Sequence, residues 1–583
     1  MSDPETISVS FPIIRLKRAK MSAGSREPVT CPTWIGPFAY GQALQTNTLA
    51  MRTSRLSCRD PHLNLARYAD ARRAKHINDD VIHADMASLD IAKVREDVEP
   101  FESELMEEFY NNFAGLKDDM STVGIYERHG HLFSEDALAT ISKALEQTEE
   151  KDDLRWLRYL RTFSTTGFVD NAIKAFSDRA NTFEAQAEVE VAGEKMPYRF
   201  IPVKLRNEPD SLKRKALFDA KLTVTMELNK ILLERMATVH DLSAVLGFKN
   251  YKDLCSSLKG IDYRALEDQT GELVRRTESL YVAKMDELLT VRAGVPLAEA
   301  WSFDIPFAFR GEEFDRHFTK DDLVPKFLAT LKGMGIDPES YRNIHLDLEE
   351  RPKKSPRAFC APVKVPSDVR LVIRPTGGWR DYDAFFHEGG HAWHFGSTEP
   401  GLPAEFRYLG DNSVTEAFAF LFNYLTSNPL WLKEVLGMES PEEYVRFTLV
   451  NKLMFLRRYS AKLTYELKLH SAKVSPEFEG VYRTCLQKAL KFKHAEKHYL
   501  EDVDDGFYCA EYLRAWILEG QVRAALEDQF GEDWFMKEKA GAFLKELWSY
   551  GQKFTADELV KTIGYVDLDP EPMVLEIERG LAD

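Results

Sequence analysis

The chain has 583 residues, 44% hydrophobic, 11% aromatic and 29% charged, a composition that excludes wholesale disorder and supplies ample apolar side chain for a core. Its 77 Lys and Arg against 94 Asp and Glu leave a net charge of −17. That balance argues against nucleic acid or an anionic membrane as partner and leaves peptides and small molecules.

In chain order, the apolar run at residues 7–14 follows Asp3 and Glu5 instead of a basic flank, unlike a secretory signal. No run approaches the about 18 apolar residues of a membrane helix. The expectation is a soluble protein of the cytoplasm. Residues 1–80 carry 12 Lys and Arg against 7 Asp and Glu with no sustained period. They read as a poorly ordered basic extension, with binding of an acidic partner as the alternative.

From about residue 81 helical periodicity dominates. Leu212, Ala216, Leu217, Ala220, Val224, Leu228, Ile231 and Leu232 recur at helical spacing, up to a stop at Gly247. The predicted class is mostly α. Strand-like text is concentrated at 359–375, where Val363, Val365, Val369, Leu371 and Ile373 sit among Pro362, Pro366 and Pro375, predicting a small antiparallel sheet. Six cysteines (Cys31, Cys58, Cys255, Cys360, Cys485, Cys509) lie far apart with no CxxC pair, so neither a disulfide framework nor a thiolate zinc site is expected.

Directly after the strand-like text comes His387-Glu388-Gly389-Gly390-His391, inside a stretch that Asp381 or Asp383 can cap and Gly396 can end. On a helix, His387 and His391 are one turn apart on one face, so both imidazoles can reach one zinc at about 2.0 to 2.1 Å. Glu388 then borders the metal's open position, where it can take a proton from water and return it to the leaving amine. Chance yields an HExxH in such a chain only on the order of a few hundredths of a time. The flanking Phe385, Phe386, Trp393 and Phe395 imply a buried helix, and buried histidines need partners.

The third ligand cannot follow the metzincin pattern HExxHxxGxxH, because His394 and Ser397 occupy the Gly and His positions. Glu416 stands 25 residues after His391 in an apolar helical stretch. A capping box, Ser413-x-x-Glu416, would explain it as a helix start. The His/His/Glu set common to catalytic zinc favours ligation. A second pair, His494 and His498, has i, i+4 spacing among lysines without a following Glu, and reads as a solvated charged face.

The pattern His-Glu-x-Gly-His-Ala-x-His with Glu416 beyond it resembles the zinc oligopeptidases of the thimet oligopeptidase and oligoendopeptidase F family, over roughly residues 205 to 570. Glu234-Arg235, the run Leu246-Gly247-Phe248-Lys249-Asn250-Tyr251, Trp301-Ser302-Phe303-Asp304 and the tyrosine-rich stretch from Gly506 to Trp516 extend the likeness. Gly389, where a large residue is usual, and Asn423, where a second acid is common, depart from it.

The resemblance implies a mostly helical fold whose two halves border a deep substrate channel, with the small sheet beside the zinc-binding helix and an edge strand near 361–372 that pairs with substrate. It also implies an N-terminal helical domain at 81–205 and a catalytic metallopeptidase domain at 206–583. One zinc per chain would be held by His387, His391 and Glu416, with Glu388 as general base. A tyrosine would donate a hydrogen bond to the oxyanion. Tyr512 aligns when Leu513 and Trp516 are matched, Tyr508 when Phe507 anchors. His498 loosely matches a substrate-binding histidine.

The implied activity is a zinc metalloendopeptidase acting on short unfolded peptides. One alternative is a metallocarboxypeptidase like the Taq carboxypeptidases, which Gly389-Gly390 also resembles. The other is a non-catalytic zinc-containing scaffold, against which the intact Glu388 speaks.

Overall fold

The computed structural model describes residues 90–582, and the extension read at 1–80 lies outside them. The described chain is mostly helical with two small sheets. Eight helices carry the argument below. They are α1 (Val98–Phe113), α2 (Lys151–Gln186), α3 (Ser211–Val245), α4 (Leu323–Gly333), α5 (Trp379–Gly396), α6 (Asn412–Leu425), α7 (Glu442–Leu469) and α8 (Tyr508–Phe530). No helix among the described residues is long and apolar enough to cross a membrane.

The periodic segment at 212–232 forms α3, and Gly247, with φ +88°, supplies the left-handed turn just beyond its end. Its buried stripe is rotated from the one read in sequence. Leu212 is exposed, while Arg214, Leu217, Phe218, Val224, Thr225 and Leu228 face inward. Arg214 can be inside because Asp304, of the Trp301–Asp304 motif, meets its guanidinium at 2.8 Å. A buried charge held this way shifts which face a helix turns to the core.

Two strands, β1 (Glu188–Val191) and β2 (Glu194–Pro197), form an antiparallel hairpin that the sequence reading missed. Its turn residues Ala192 and Gly193 both have positive φ, and Val189 opposite Met196 forms its buried pair. The expected sheet is present as β3 (Ile344–Asp347), β4 (Phe359–Lys364) and β5 (Asp368–Val372), in the order β3-β5-β4. The β4–β5 pair is antiparallel as expected, but β3 adds to β5 in parallel, so the sheet is mixed. Four residues are too few to show an alternating pattern in sequence. β4 is an edge strand; its Ala361 and Val363 pack into the cluster of α1 residues Phe101, Leu105 and Phe109.

Across the position read as a domain boundary, Tyr198, Ile201 and Leu205 share a core cluster with Leu217, Phe218 and Val224. Phe168, Ile173 and Phe176 of α2 join the main core. Buried surface therefore runs continuously through residue 205. The described cysteines Cys255, Cys360, Cys485 and Cys509 are all buried free thiols.

At the centre lie α5, α6 and α8, each buried nearly all round and hence covered on every side. Helix α5 starts at Trp379, earlier than a cap at Asp381 or Asp383 would have it, because Gly378 is the N-cap residue. Asp381 instead reaches back, accepting from the backbone N–H groups of Thr376 (2.6 Å) and Gly377 (2.8 Å). The two glycines after Glu388 have separate reasons. A Cβ on Gly389 would meet the ring of Phe327 from α4 at 2.4 Å, and one on Gly390 would lie 2.6 Å from both Ala419 Cα and Phe418 O of α6.

Replacing Gly390 by Ala sets two effects against each other. Helix propensity gains about 1 kcal/mol, while overpacking against a neighbouring backbone costs about 1 to 3 kcal/mol. Backbone cannot rotate away as a side chain can, so the cost prevails. Gly390→Ala is expected to lower stability in denaturant titration, and a Gly390→Ala protein as stable as wild type would show that α5 and α6 can separate at no cost.

Candidate metal centre

His387 and His391 project from α5 and Glu416 from α6, and the three residues are 1%, 3% and 0% exposed. Glu416 does not build a capping box. Asp411 caps α6 by accepting from Ser413 N at 2.9 Å, which leaves Glu416 to turn inward. Its Oε2 lies 3.4 Å from His387 Nε2 and 3.7 Å from His391 Nε2. Two donors each about 2.1 Å from a tetrahedral zinc are about 3.4 Å apart, so these spacings suit a shared ion.

Charge and hydrogen bonding point the same way. Burial pushes both histidines down to about 3, so each is neutral near pH 7 and presents a lone pair. None of His387 Nε2, His391 Nε2 and Glu416 Oε2 has a hydrogen-bond partner. Three buried acceptors aimed at one point leave an unmet need that a cation meets, and the donor set is one zinc takes.

Surrounding groups hold these donors in place. Thr415 Oγ1 is 2.8 Å from His391 Nδ1, and Tyr508 from α8 donates to Glu416 Oε1 at 2.7 Å. Glu388, half-buried, turns to the sheet, where its Oε2 accepts from the backbone N–H of Cys360 on β4 at 2.8 Å. Burial, and then the charge of Glu416, hold the Glu388 carboxyl well above the usual carboxylate range. The Asn423 amide donates to Asp383 one turn before His387, occupying the position where a second acid was expected. His394 faces elsewhere, with Nε2 3.1 Å from Gly551 O.

The tyrosine helix begins abruptly. Gly506 and Phe507 both have left-handed backbone (φ +64° and +58°), and the buried Phe507 ring stacks on Tyr263 at 4.6 Å. Arg235 of α3 grips Asp505 with two nitrogens at 2.8 and 2.6 Å, and Gly506 N donates to Tyr251 at 3.0 Å. The upstream motifs therefore hold the entry to α8. Tyr512, one turn after Tyr508, lies among Tyr508, Tyr459 and Phe420 at 5.0 to 5.5 Å between ring centres.

Other readings change. His494 is buried and stacked on Phe492 at 4.8 Å, so the pair His494/His498 is not a solvated helical face. Lys491, left-handed at φ +64°, ends the preceding helix before either histidine. His498 lies in a separate polar cluster, its Nδ1 2.7 Å from Glu501, which also binds Lys221, and its ring against Phe218. Sequence reasoning overlooked Thr415, Tyr459 and the Cys360 amide. Only Thr415 carried a signal, as the hydroxyl next to a candidate ligand. A cavity of about 650 Å³ opens at the far end of α5, beside Gly396, Ser397 and Thr398, and is lined by none of His387, Glu388, His391, Glu416, Tyr508 and Tyr512.

The chain was compared with protein-family models and with curated proteins, and nothing matches in either comparison.

The convergence of these donors generates a direct expectation. Purified protein should hold about one zinc per chain, measured by atomic emission, and His387→Ala or Glu416→Ala should lose it. Glu388→Gln should retain the metal, because Glu388 is not among the three converging donors. Full metal content in Glu416→Ala would remove Glu416 as a ligand.

Proposed function

We propose that this protein is a zinc metallopeptidase that hydrolyses internal bonds of short unfolded peptides. The observation that carries this reading is the meeting of three buried neutral or anionic donors with a carboxyl, Glu388, on the adjoining helix position and at an edge strand. His387, His391 and Glu416 would hold the ion, which when bound supplies Lewis acidity toward a carbonyl oxygen and water.

The chain's own groups supply the rest. Glu388 takes the proton of the attacking water and passes it to the leaving amine. Cys360 N–H holds the carboxyl toward β4, the strand on which an extended peptide would pair. Tyr508 is engaged with Glu416, so it serves the ligand. Tyr512, one turn further along the same face of α8 among Tyr508, Tyr459 and Phe420, is assigned the hydrogen bond to the oxyanion.

Helical halves bordering a channel belong to this proposal, and the near-complete burial of the donors supports restricted access. A flexible peptide can thread to such a site. A folded domain would first have to unfold, at about 5 to 15 kcal/mol.

Three expectations follow from these roles. Glu388→Gln should lower kcat/KM by about 10²- to 10⁴-fold. Tyr512→Phe should lower kcat by about 100-fold with little change in KM, whereas Tyr508→Phe should weaken zinc binding. A kcat loss confined to Tyr508→Phe would exchange the two roles.

Mass spectrometry of products from a mixed peptide library tests the reaction class. Internal cuts support the endopeptidase, single C-terminal losses replace it by a carboxypeptidase, and no cleavage replaces it by a scaffold. In a series of lengthening peptides set against folded and denatured proteins, peptides should be cut and folded chains spared. Rapid internal cleavage of a folded protein would point to an open cleft.

A further inference from the structure

The two histidines of the candidate centre are supported unequally. His387 Nδ1 is buried and has no hydrogen-bond partner; its ring leans on Phe420, with centres 5.1 Å apart and planes at 61°. His391 Nδ1 instead meets a hydroxyl, Thr415 Oγ1, at 2.8 Å, with both side chains buried. Thr415 is the residue immediately before Glu416, so one turn of α6 would supply a ligand and the support of a second ligand.

A neutral imidazole has one N–H and one lone pair, and its partner decides which nitrogen carries which. With the proton on Nδ1, His391 donates to Thr415 Oγ1 and leaves the Nε2 lone pair facing Glu416 and His387. With the proton on Nε2, the imidazole would aim an N–H at the shared point, where the nearest carboxylate oxygen is 3.7 Å away, beyond hydrogen-bond length. The hydroxyl can donate or accept, so the 2.8 Å contact itself fits either form; ligation through Nε2 requires the first, in which Nδ1–H donates to Thr415 Oγ1.

We infer that Thr415 is a positioning residue: its hydroxyl accepts the Nδ1–H of the ligating form of His391, holds the ring in place and thereby sets metal affinity. The inference rests on the zinc reading above. Phe420 restrains the ring of His387 by contact and offers no acceptor for its N–H, so the hydroxyl effect falls on His391.

The test is zinc affinity of the full chain, measured by competition with a chromogenic chelator after metal removal. Thr415→Val keeps the β-branched shape and deletes the acceptor, and should weaken zinc binding by about 10- to 100-fold. Thr415→Ser retains an acceptor and should stay within about threefold of wild type. Thermal unfolding of the metal-free proteins identifies a merely structural role, in which Val and Ser variants would differ in stability but not in zinc affinity. That result, or wild-type affinity in Thr415→Val, overturns the inference. If Thr415→Val fails to fold, Thr415→Ala set against Thr415→Ser gives the same comparison. A wild-type chain that binds no zinc would overturn the metal reading itself, an outcome separate from equal binding by wild type and variant.

Discussion

The close approach of α5 to α6 underlies the arrangement of every residue in the candidate centre. At Gly390 the two helices meet backbone to backbone, with room for a hydrogen and not for a methyl group. Helices carrying ordinary side chains pack with axes about 8 to 10 Å apart, and small residues at the crossing permit the lower end. That proximity lets a carboxylate on α6 reach imidazoles on α5. A glycine pair in a helix interior is unfavourable locally, by about 1 kcal/mol per residue. The loss is offset by burial of Phe385, Phe386, Trp393, Phe418 and Phe422 around the crossing.

On this frame the third central helix, α8, is a fastening. Its Tyr508 bonds Glu416, and its first turn can do so only because the chain enters through two left-handed residues. Left-handed backbone is costly for phenylalanine. Phe507 is kept there by its stack on Tyr263, while Arg235 holds Asp505 and Tyr251 holds Gly506 from the neighbouring helices. Residues more than 200 positions upstream of α8 thus act on the geometry at Glu416.

Burial of the donors sets the chemistry as well as the access. Low polarity around His387 and His391 keeps them neutral, the form in which an imidazole can bind a metal. The same surroundings drive up the proton affinity of Glu388, whose neighbour Glu416 adds to the effect. His387 Nδ1 and Nε2, His391 Nε2 and Glu416 Oε2 are buried without hydrogen-bond partners, and the last three are atoms that a shared cation would satisfy.

The sequence by itself determined what depends on spacing along one element. His387 and His391 share a face because a helix repeats every 3.6 residues, and an apolar α6 made Glu416 conspicuous. Helix α3 and its glycine stop, and the antiparallel pair β4 and β5, were legible for the same reason. Tertiary structure decided everything that needs two elements at once. It turned Glu416 away from a cap because Asp411 had taken that role, buried Arg214 against Asp304, and drew His494 and His498 out of helical register after the left-handed Lys491. It also separated two tyrosines that sequence left equivalent: on one helix face they differ only by a turn, and which hydroxyl meets Glu416 depends on where α6 lies. Periodicity fixes direction about a single axis, and the distance between axes is set by packing.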